Sequence, residues 1–421
     1  MLYVLLCLLV FLINFGPWRV EACKTAADCA YSGECTSEGN CKCNVNWSGP
    51  NCTTLRLLPS SFPNAAGVRR RKSSSWGGSV IWDPEQELWV IFFADFEGHC
   101  GLDTWKTNSR ICMSTAENGD FPTGPFGFNN GSNCSIVMPV WAHNPSIYGP
   151  IKEKNGNSVY LMFHIGDGHK SNIYGPPRTG CKNGTTPTPP SKSNPRQYIN
   201  IESPVPYPPF VLPKEVTPNL LVSTRIDKGW KPHKWEKKLG WSCNNPSAAF
   251  LKNGTVVLAC KVLVTQGPEK GLPWRQIAIY VAPNWRGPYM LKRLTKIFGE
   301  DPYIWFDPEA DNGTGAFHML LHSMKPRKVP TTAWSKDGLE WFPNGYAGPP
   351  NPNPRPSFNH SIVFENGEVM EVVRRERHQP IFKEGTMIGL CNGVTTHHGG
   401  KDSDLSSTAC VPVANNIINN G

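Results

Sequence analysis

The sequence predicts an all-β fold, a five-bladed β-propeller preceded by a small cysteine-dense module, and three observations lead there. The first is a hairpin template that recurs. It is plainest at Glu300-Asp301-Pro302-Tyr303-Ile304-Trp305, followed beyond Asp307-Pro308 and Asp311-Asn312-Gly313 by Phe317-His318-Met319-Leu320-Leu321-His322. Both arms are apolar and β-prone, and turn formers separate them. Further copies begin at Gly77-Gly78-Ser79, His143-Asn144-Pro145-Ser146, Asn244-Asn245-Pro246-Ser247 and Phe358-Asn359-His360-Ser361. The second observation is their period of roughly 55 to 65 residues, broken by one longer gap, which suits blades of four short strands whose edges radial packing hides. The third is composition: 40 prolines and 39 glycines in 421 residues, with helical periodicity nearly absent.

Residues 1–22 run through an apolar stretch from Leu2 to Ile13 to small residues before Cys23. This reads as a secretory signal, since the apolar run is too short for a membrane span. Cys23, Cys29, Cys35, Cys41, Cys43 and Cys52 then crowd residues 23–52, too few for an apolar core, so disulfides are expected to hold the segment. A zinc site would be the rival, but the segment has no histidine. The Cys41-Lys42-Cys43 step and Trp47 and Gly49 ahead of Cys52 resemble an EGF-like module. That resemblance implies the pairs Cys23–Cys35, Cys29–Cys41 and Cys43–Cys52.

Residues 53–75 read as a linker, and the module is expected to lie outside the propeller as a separable unit. The linker contains Arg69-Arg70-Arg71-Lys72, open to three readings: solvated spacer, proprotein cleavage site or anionic contact. The propeller is expected over 76–395, with the Pro-rich stretch 166–219 as a loop inserted in its second blade, and residues 396–421 as a tail. Eight cysteines remain for this part; Cys243 and Cys260 flank one hairpin and are expected to pair, while Cys100, Cys112, Cys134, Cys181, Cys391 and Cys410 are left unassigned. Glycosylation sequons at Asn46, Asn51, Asn130, Asn133, Asn183, Asn253, Asn312 and Asn359 agree with a secreted glycoprotein.

In a propeller the innermost strands start near one end of the axis, so the polar openings of the copies should converge there: Ser79, His143, Asn144, Asn244, Asn245, Glu300, Asp301, Asn359 and His360. Strand ends add Asp95, His99, His164, Asp167, Lys261, His322 and Arg374-Arg375-Glu376-Arg377. On His99-Cys100-Gly101, His143-Asn144-Pro145, Glu300-Asp301-Pro302 and Arg374-Arg375-Glu376-Arg377, residues 76 to about 395 resemble the five-bladed propeller glycoside hydrolases of arabinanase and β-xylosidase type, in a secreted glycosidase-like branch. The resemblance implies cleavage of O-glycosyl bonds by a pair of carboxyl groups around an oxocarbenium-like transition state. Where that pattern carries Asp, Asp and Glu in the first three blades, this chain has Gly78-Ser79, Asn144 and Asn245, so the acids are sought elsewhere. The expected catalytic pair is Asp301 with Glu376, and Glu300 and Asp95 are further candidates.

Expected substrate contacts are His99, His143, Asn144, Asn245, His164, His322, Arg374 and Trp76. Because a strand alternates, Arg374 should face the ligand with Glu376 while Arg375 and Arg377 turn away. A net charge of +9 suits an anionic glycan and no nucleic acid is expected. No cofactor and no metal is expected, since the histidines lack regular ligand spacing. The alternative function is a non-catalytic propeller that binds carbohydrate or protein, with an adhesive EGF-like module as the contact for an extracellular partner.

Overall fold

The computed structural model describes residues 22–61, 67–68, 73–116, 122–127, 134–139, 141–166, 177–181, 214–235, 243–264, 274–323, 328–346, 353–396 and 405–415. The signal segment, the Arg69–Lys72 run, Asp167, most of the Pro-rich stretch, and the sequons at Asn130, Asn133 and Asn183 lie outside these residues.

Five antiparallel sheets form the blades. Blade one is Ser75–Asp83, Leu88–Phe96, Ser109–Ala116 and Phe126–Gly127, with Ser135–Met138 also paired to its third strand. Blade two is His143–Lys152, Ser158–Ile165, Asn219–Ser223 and Lys231–Pro232. Blade three is Asn244–Phe250, Val256–Val264, Trp274–Ala282 and Tyr289–Phe298, with Glu215–Val216 added to its outer edge. Blade four is Glu300–Asp307, Ala316–His322, Pro330–Ser335 and Phe342–Pro343; blade five is Arg374–Lys383, Thr386–Thr395 and Ser407–Pro412. The innermost strands touch in a ring, one to two to three to four to five and back to one. Apolar side chains such as Ile91, Leu161, Leu258, Met319 and Leu390 fill the layers between sheets.

The fifth copy is placed differently from the sequence reading. Ile362–Val363 and Val369–Met370 make only a small hairpin, and the innermost strand of blade five is the next segment, Arg374–Lys383. The reason is burial: Arg374–Lys383 is buried through its middle, whereas Val363 and Val369 are exposed. The stretch read as a tail supplies the third strand, Ser407–Pro412. Two residues of the segment read as a linker bridge to this part of the chain, Leu57 to Val413 and Val68 to Thr408, so residues from both ends of the propeller meet at blade five.

The cysteine-dense module consists of two small hairpins, Gly33–Cys35 with Cys41–Cys43 and Trp47–Ser48 with Thr54–Leu55. Its disulfides are Cys23–Cys35, Cys29–Cys41 and Cys43–Cys52. It does not lie apart from the propeller. Trp47 stacks on His318, which stacks on Trp305 of blade four, with ring centroids at 6.3 and 5.2 Å. The Asn46 side-chain amide donates to the carbonyls of Met387 and Ala414 at 2.8 and 2.6 Å. Cys23, Cys29, Trp47 and Leu55 thus share one apolar cluster with Leu320, Phe358, Leu390 and Val411. The remaining bridges are Cys100–Cys181, Cys112–Cys134, Cys243–Cys260 and Cys391–Cys410. No described helix is long and apolar enough to cross a membrane.

Candidate active site

One backbone device builds the site five times. Near the start of each innermost strand one extra residue is inserted between cross-strand pairs: Trp76 to Ser79, His143 to Ser146, Asn244 to Ser247, Glu300 to Tyr303 and Glu376 to Gln379. The second residue of every bulge has a left-handed backbone, at Gly77, Asn144, Asn245, Asp301 and Arg377, with φ between 49° and 65°. Glycine, asparagine and aspartate tolerate that region, which explains four of the five residue types. Arg377 does not, and a non-glycine residue held there costs on the order of 1 kcal/mol or more. Its guanidinium holds it in place by donating from Nη2 to the Asn144 carbonyl at 2.9 Å and to Ser146 Oγ at 2.8 Å.

The equivalent positions form a chain of polar contacts around the axis. Asn144 Nδ2 donates to Asn245 Oδ1 at 3.2 Å, and Asn245 Nδ2 donates to Asp301 Oδ1. Arg377 Nη1 stands 3.9 Å from the same Asp301 oxygen. The other Asp301 oxygen is 3.4 Å from His322 Nε2, which is 3.7 Å from Glu376 Oε2. Asp301, His322 and Glu376 therefore meet, with their facing atoms all within 4.8 Å of one another. Each of the three is at least 95% buried.

Glu376 is the most heavily paired of them. Arg374 grips it with both Nε and Nη2, at 2.7 and 3.3 Å, and Lys328 reaches it as well, at 2.8 Å. Burial pushes the Glu376 carboxyl up, but His322, Arg374 and Lys328 outweigh burial and hold it down at about 2. For His322, burial works against the charged form, yet the hydrogen bond to Asp301 and the charge of Glu376 raise its pKa above the ordinary value. Its other nitrogen, Nδ1, faces the Ser323 carbonyl at 3.0 Å, so a proton there is satisfied. The cluster sets a carboxyl held below its ordinary range, Glu376, beside an imidazole whose pKa is shifted upward, His322.

Glu300 and Asp95 stand apart from that cluster's centre. Glu300 is gripped by Lys261 and, at 3.0 Å, by Arg275. Burial opposes ionisation of its carboxyl, but the two cations hold its pKa well below the ordinary value. Asp95 sits on the second strand of blade one, fully buried and 2.8 Å from Arg110. His143 lies between blades one and two, hydrogen-bonded to Ser109 at 2.7 Å and stacked on Trp105; burial and the Arg377 charge lower its pKa to about 3. His164 is buried and turned to the Ile165 carbonyl, and His99 is exposed beyond the second strand of blade one. Trp76 is buried, covered by the Arg374 guanidinium at 5.3 Å and packed against Gly393, where a Cβ would approach the indole to 2.3 Å. It offers no open face to a sugar.

The bulge also changes which arginines face the cluster. Arg375 turns into the fold, donating to Asn392 and to the carbonyls of Asn359 and Ser361 at 2.9 to 3.1 Å. Arg377 reaches the axis and Asp301. Arg374 lies beside Glu376, but its two-point fork is already occupied by that carboxylate. Lys328, which precedes the third strand of blade four, carried no signal in the sequence, since an isolated lysine in a loop resembles any solvated one. Among the described residues the cluster could also present three ligand atoms to a metal ion, but Lys328, Arg374 and Arg377 crowd its two carboxylates, which suits a cation poorly.

No family model matches the chain, and no curated protein matches it. Among solved structures it is similar to a family 117 glycoside hydrolase of the marine bacterium Zobellia galactanivorans, at 13% identity and a TM-score of 0.46 over 88% of this chain and 92% of that one. It is likewise similar to a Dyadobacter fermentans protein of unknown function, at 11% identity and a TM-score of 0.45 over 85% and 99%. A third is a fructofuranosidase variant from Schwanniomyces occidentalis, complexed with fructosylnystose, at 10% identity and 0.43 over 89% and 60%.

Proposed function

We propose that this protein is a glycoside hydrolase whose reacting groups are Glu376, Asp301 and His322. The observation that carries the reading is the meeting of two carboxylates across one imidazole at the axis of the propeller. Glycosidic cleavage needs one group that stays ionised and another that delivers a proton to the leaving oxygen. Glu376, held at about 2, supplies the first. His322, with its pKa raised, carries the proton, and Asp301 orients it. In this reading Glu376 bonds to the anomeric carbon as the glycosidic carbon–oxygen bond breaks and His322 protonates the leaving oxygen; water, giving its proton to His322, then displaces Glu376, so the anomeric configuration is retained.

Five cationic side chains around Glu300, Asp301 and Glu376 make the surroundings net positive, which supports an anionic glycan such as a uronic or sulfated one. Entry into the secretory pathway belongs to the same reading, supported by the apolar N-terminal run and by seven disulfides. A binding propeller is the second reading, favoured by the two-point hold of Arg374 on Glu376, which already satisfies that carboxylate. A panel of neutral, uronic and sulfated glycans, read by reducing-sugar release and by anomer-resolved NMR, separates the two. Release abolished by Glu376→Gln and by His322→Gln, with glycan binding retained, supports the enzyme. Binding without release across the panel leaves only the binding propeller.

A further inference from the structure

We infer that Asn253 and Asn312 carry N-linked glycans, and that Asn46 does not although it lies in the same tripeptide pattern. The inference rests on entry into the secretory pathway and is independent of hydrolysis. Asn253-Gly254-Thr255 and Asn312-Gly313-Thr314 occupy equivalent places, the tips joining the two inner strands of blades three and four. Both asparagines are exposed. In Asn253 the side-chain oxygen accepts the Thr255 amide at 2.9 Å, which fixes the turn and leaves the nitrogen outward. The Asn312 amide has no partner among the described residues, and its left-handed backbone, φ 55°, sets it at the apex of its turn.

The inner hairpins also fix which face these tips occupy. Asn244 pairs with Lys261, and Glu300 with His322, at the end holding the Asp301 cluster. Phe250 pairs with Val256, and Asp307 with Ala316, at the opposite end, about 20 Å away by strand rise. Glycans on both tips thus lie on the face opposite the end that holds the Asp301 cluster. Asn46 differs in chemistry: its nitrogen already donates to Met387 and Ala414, so a sugar there would hold the module off blade five. Asn51 is similarly engaged, donating to the Asp28 carbonyl at 2.9 Å.

The transfer uses a lipid-pyrophosphate-activated oligosaccharide as co-reactant. The asparagine nitrogen bonds to the anomeric carbon, the carbon–oxygen bond to pyrophosphate breaks, the amide loses one proton, and the lipid pyrophosphate leaves. The test is peptide mapping of the full chain secreted from eukaryotic cells, after peptide:N-glycosidase treatment in heavy-oxygen water. Labelled aspartate at positions 253 and 312, above the level in a control kept in heavy-oxygen water without the enzyme because Asn-Gly deamidates unaided, with unlabelled asparagine at 46, is the expected result. Thr255→Ala and Asn312→Gln should each remove one glycan step on a gel, and the wild-type map stands if a variant is not secreted. Unmodified Asn253 or Asn312, or label at position 46, overturns the inference.

Discussion

Replacing Glu376 by glutamine tests the electrostatics of the cluster directly. The carboxyl has an ordinary pKa of 4.5 and is held at about 2 in the folded chain. At about 1.4 kcal/mol per pKa unit, that difference corresponds to about 3 kcal/mol of folding free energy. Because the folded value is depressed, this stability is present above pH 4.5 and is lost as pH falls through about 2. Glu376→Gln should therefore cost on the order of 3 kcal/mol near neutral pH, where it also leaves Arg374, Lys328 and His322 without their shared anion. The gap between variant and wild type should narrow steadily as the pH drops below about 4. Urea titrations at several pH values, read by tryptophan fluorescence, measure it. A loss of the same size at pH 3 and pH 7, or no loss at either, would refute the account of Glu376 as an ion held by His322, Arg374 and Lys328.

Arg374→Ala removes the two-point hold, so Glu376 should titrate higher and any acid limb of activity should move up in pH; an unmoved limb, with the fold intact, contradicts that role. The same variant should weaken uronic and neutral sugars alike, because the fork faces Glu376, and selective loss of charged sugars in a binding titration would show that it faces the ligand instead. Asn46→Ala leaves two carbonyls unpaired at the module's contact with blade five and should cost about 1 to 3 kcal/mol in thermal or urea unfolding. Because the module shares its apolar cluster with blades four and five, replacing Cys29 and Cys41 together by alanine, which opens one module bridge and leaves the four propeller bridges intact, should lower the melting temperature of the propeller as well; an unchanged propeller melt would mean that the contact contributes little. Gly393→Ala places a methyl against the Trp76 indole and should destabilise blade five by about 1 to 3 kcal/mol in the same unfolding assays.

The bulge explains how much of the architecture the sequence carried. Asn144-Pro145, Asn245-Pro246 and Asp301-Pro302 each place a residue tolerant of left-handed backbone before a proline, and Gly77 meets the same need with glycine. These were legible as polar openings to apolar arms. Blade five breaks the rule with Arg377-His378, while Asn359-His360-Ser361 imitates it some residues earlier. A local pattern cannot tell a strand opening from a loop of the same composition, and burial of Arg374–Lys383 decides the matter. The imitating loop still serves blade five, because the Asn359 and Ser361 carbonyls receive the Arg375 guanidinium. The bridges from Leu57 and Val68 to blade five were not legible, because those pairings join segments at opposite ends of the chain and follow no periodicity.

Site residues were legible where their chemistry is set by the strand opening, as at Asp301, and illegible where it is set by the neighbours. Nothing in Glu300-Asp301 says which carboxylate faces the axis. The inserted residue decides: Asp301, at the left-handed position, turns toward Asn245 and Arg377, and Glu300, one place earlier, turns toward Lys261 and Arg275. In blade five the same geometry gives Glu376 the place of Glu300 and Arg377 the place of Asp301. One blade therefore offers the axis an anion, and the next offers it a cation. His322, opposite Glu300 on the neighbouring strand, lies within reach of both Asp301 and Glu376. The asymmetry follows from placing different residues in one repeated bulge: asparagines in blades two and three pass hydrogen bonds along the ring, and where blade four meets blade five two carboxylates, a guanidinium and a buried imidazole come together.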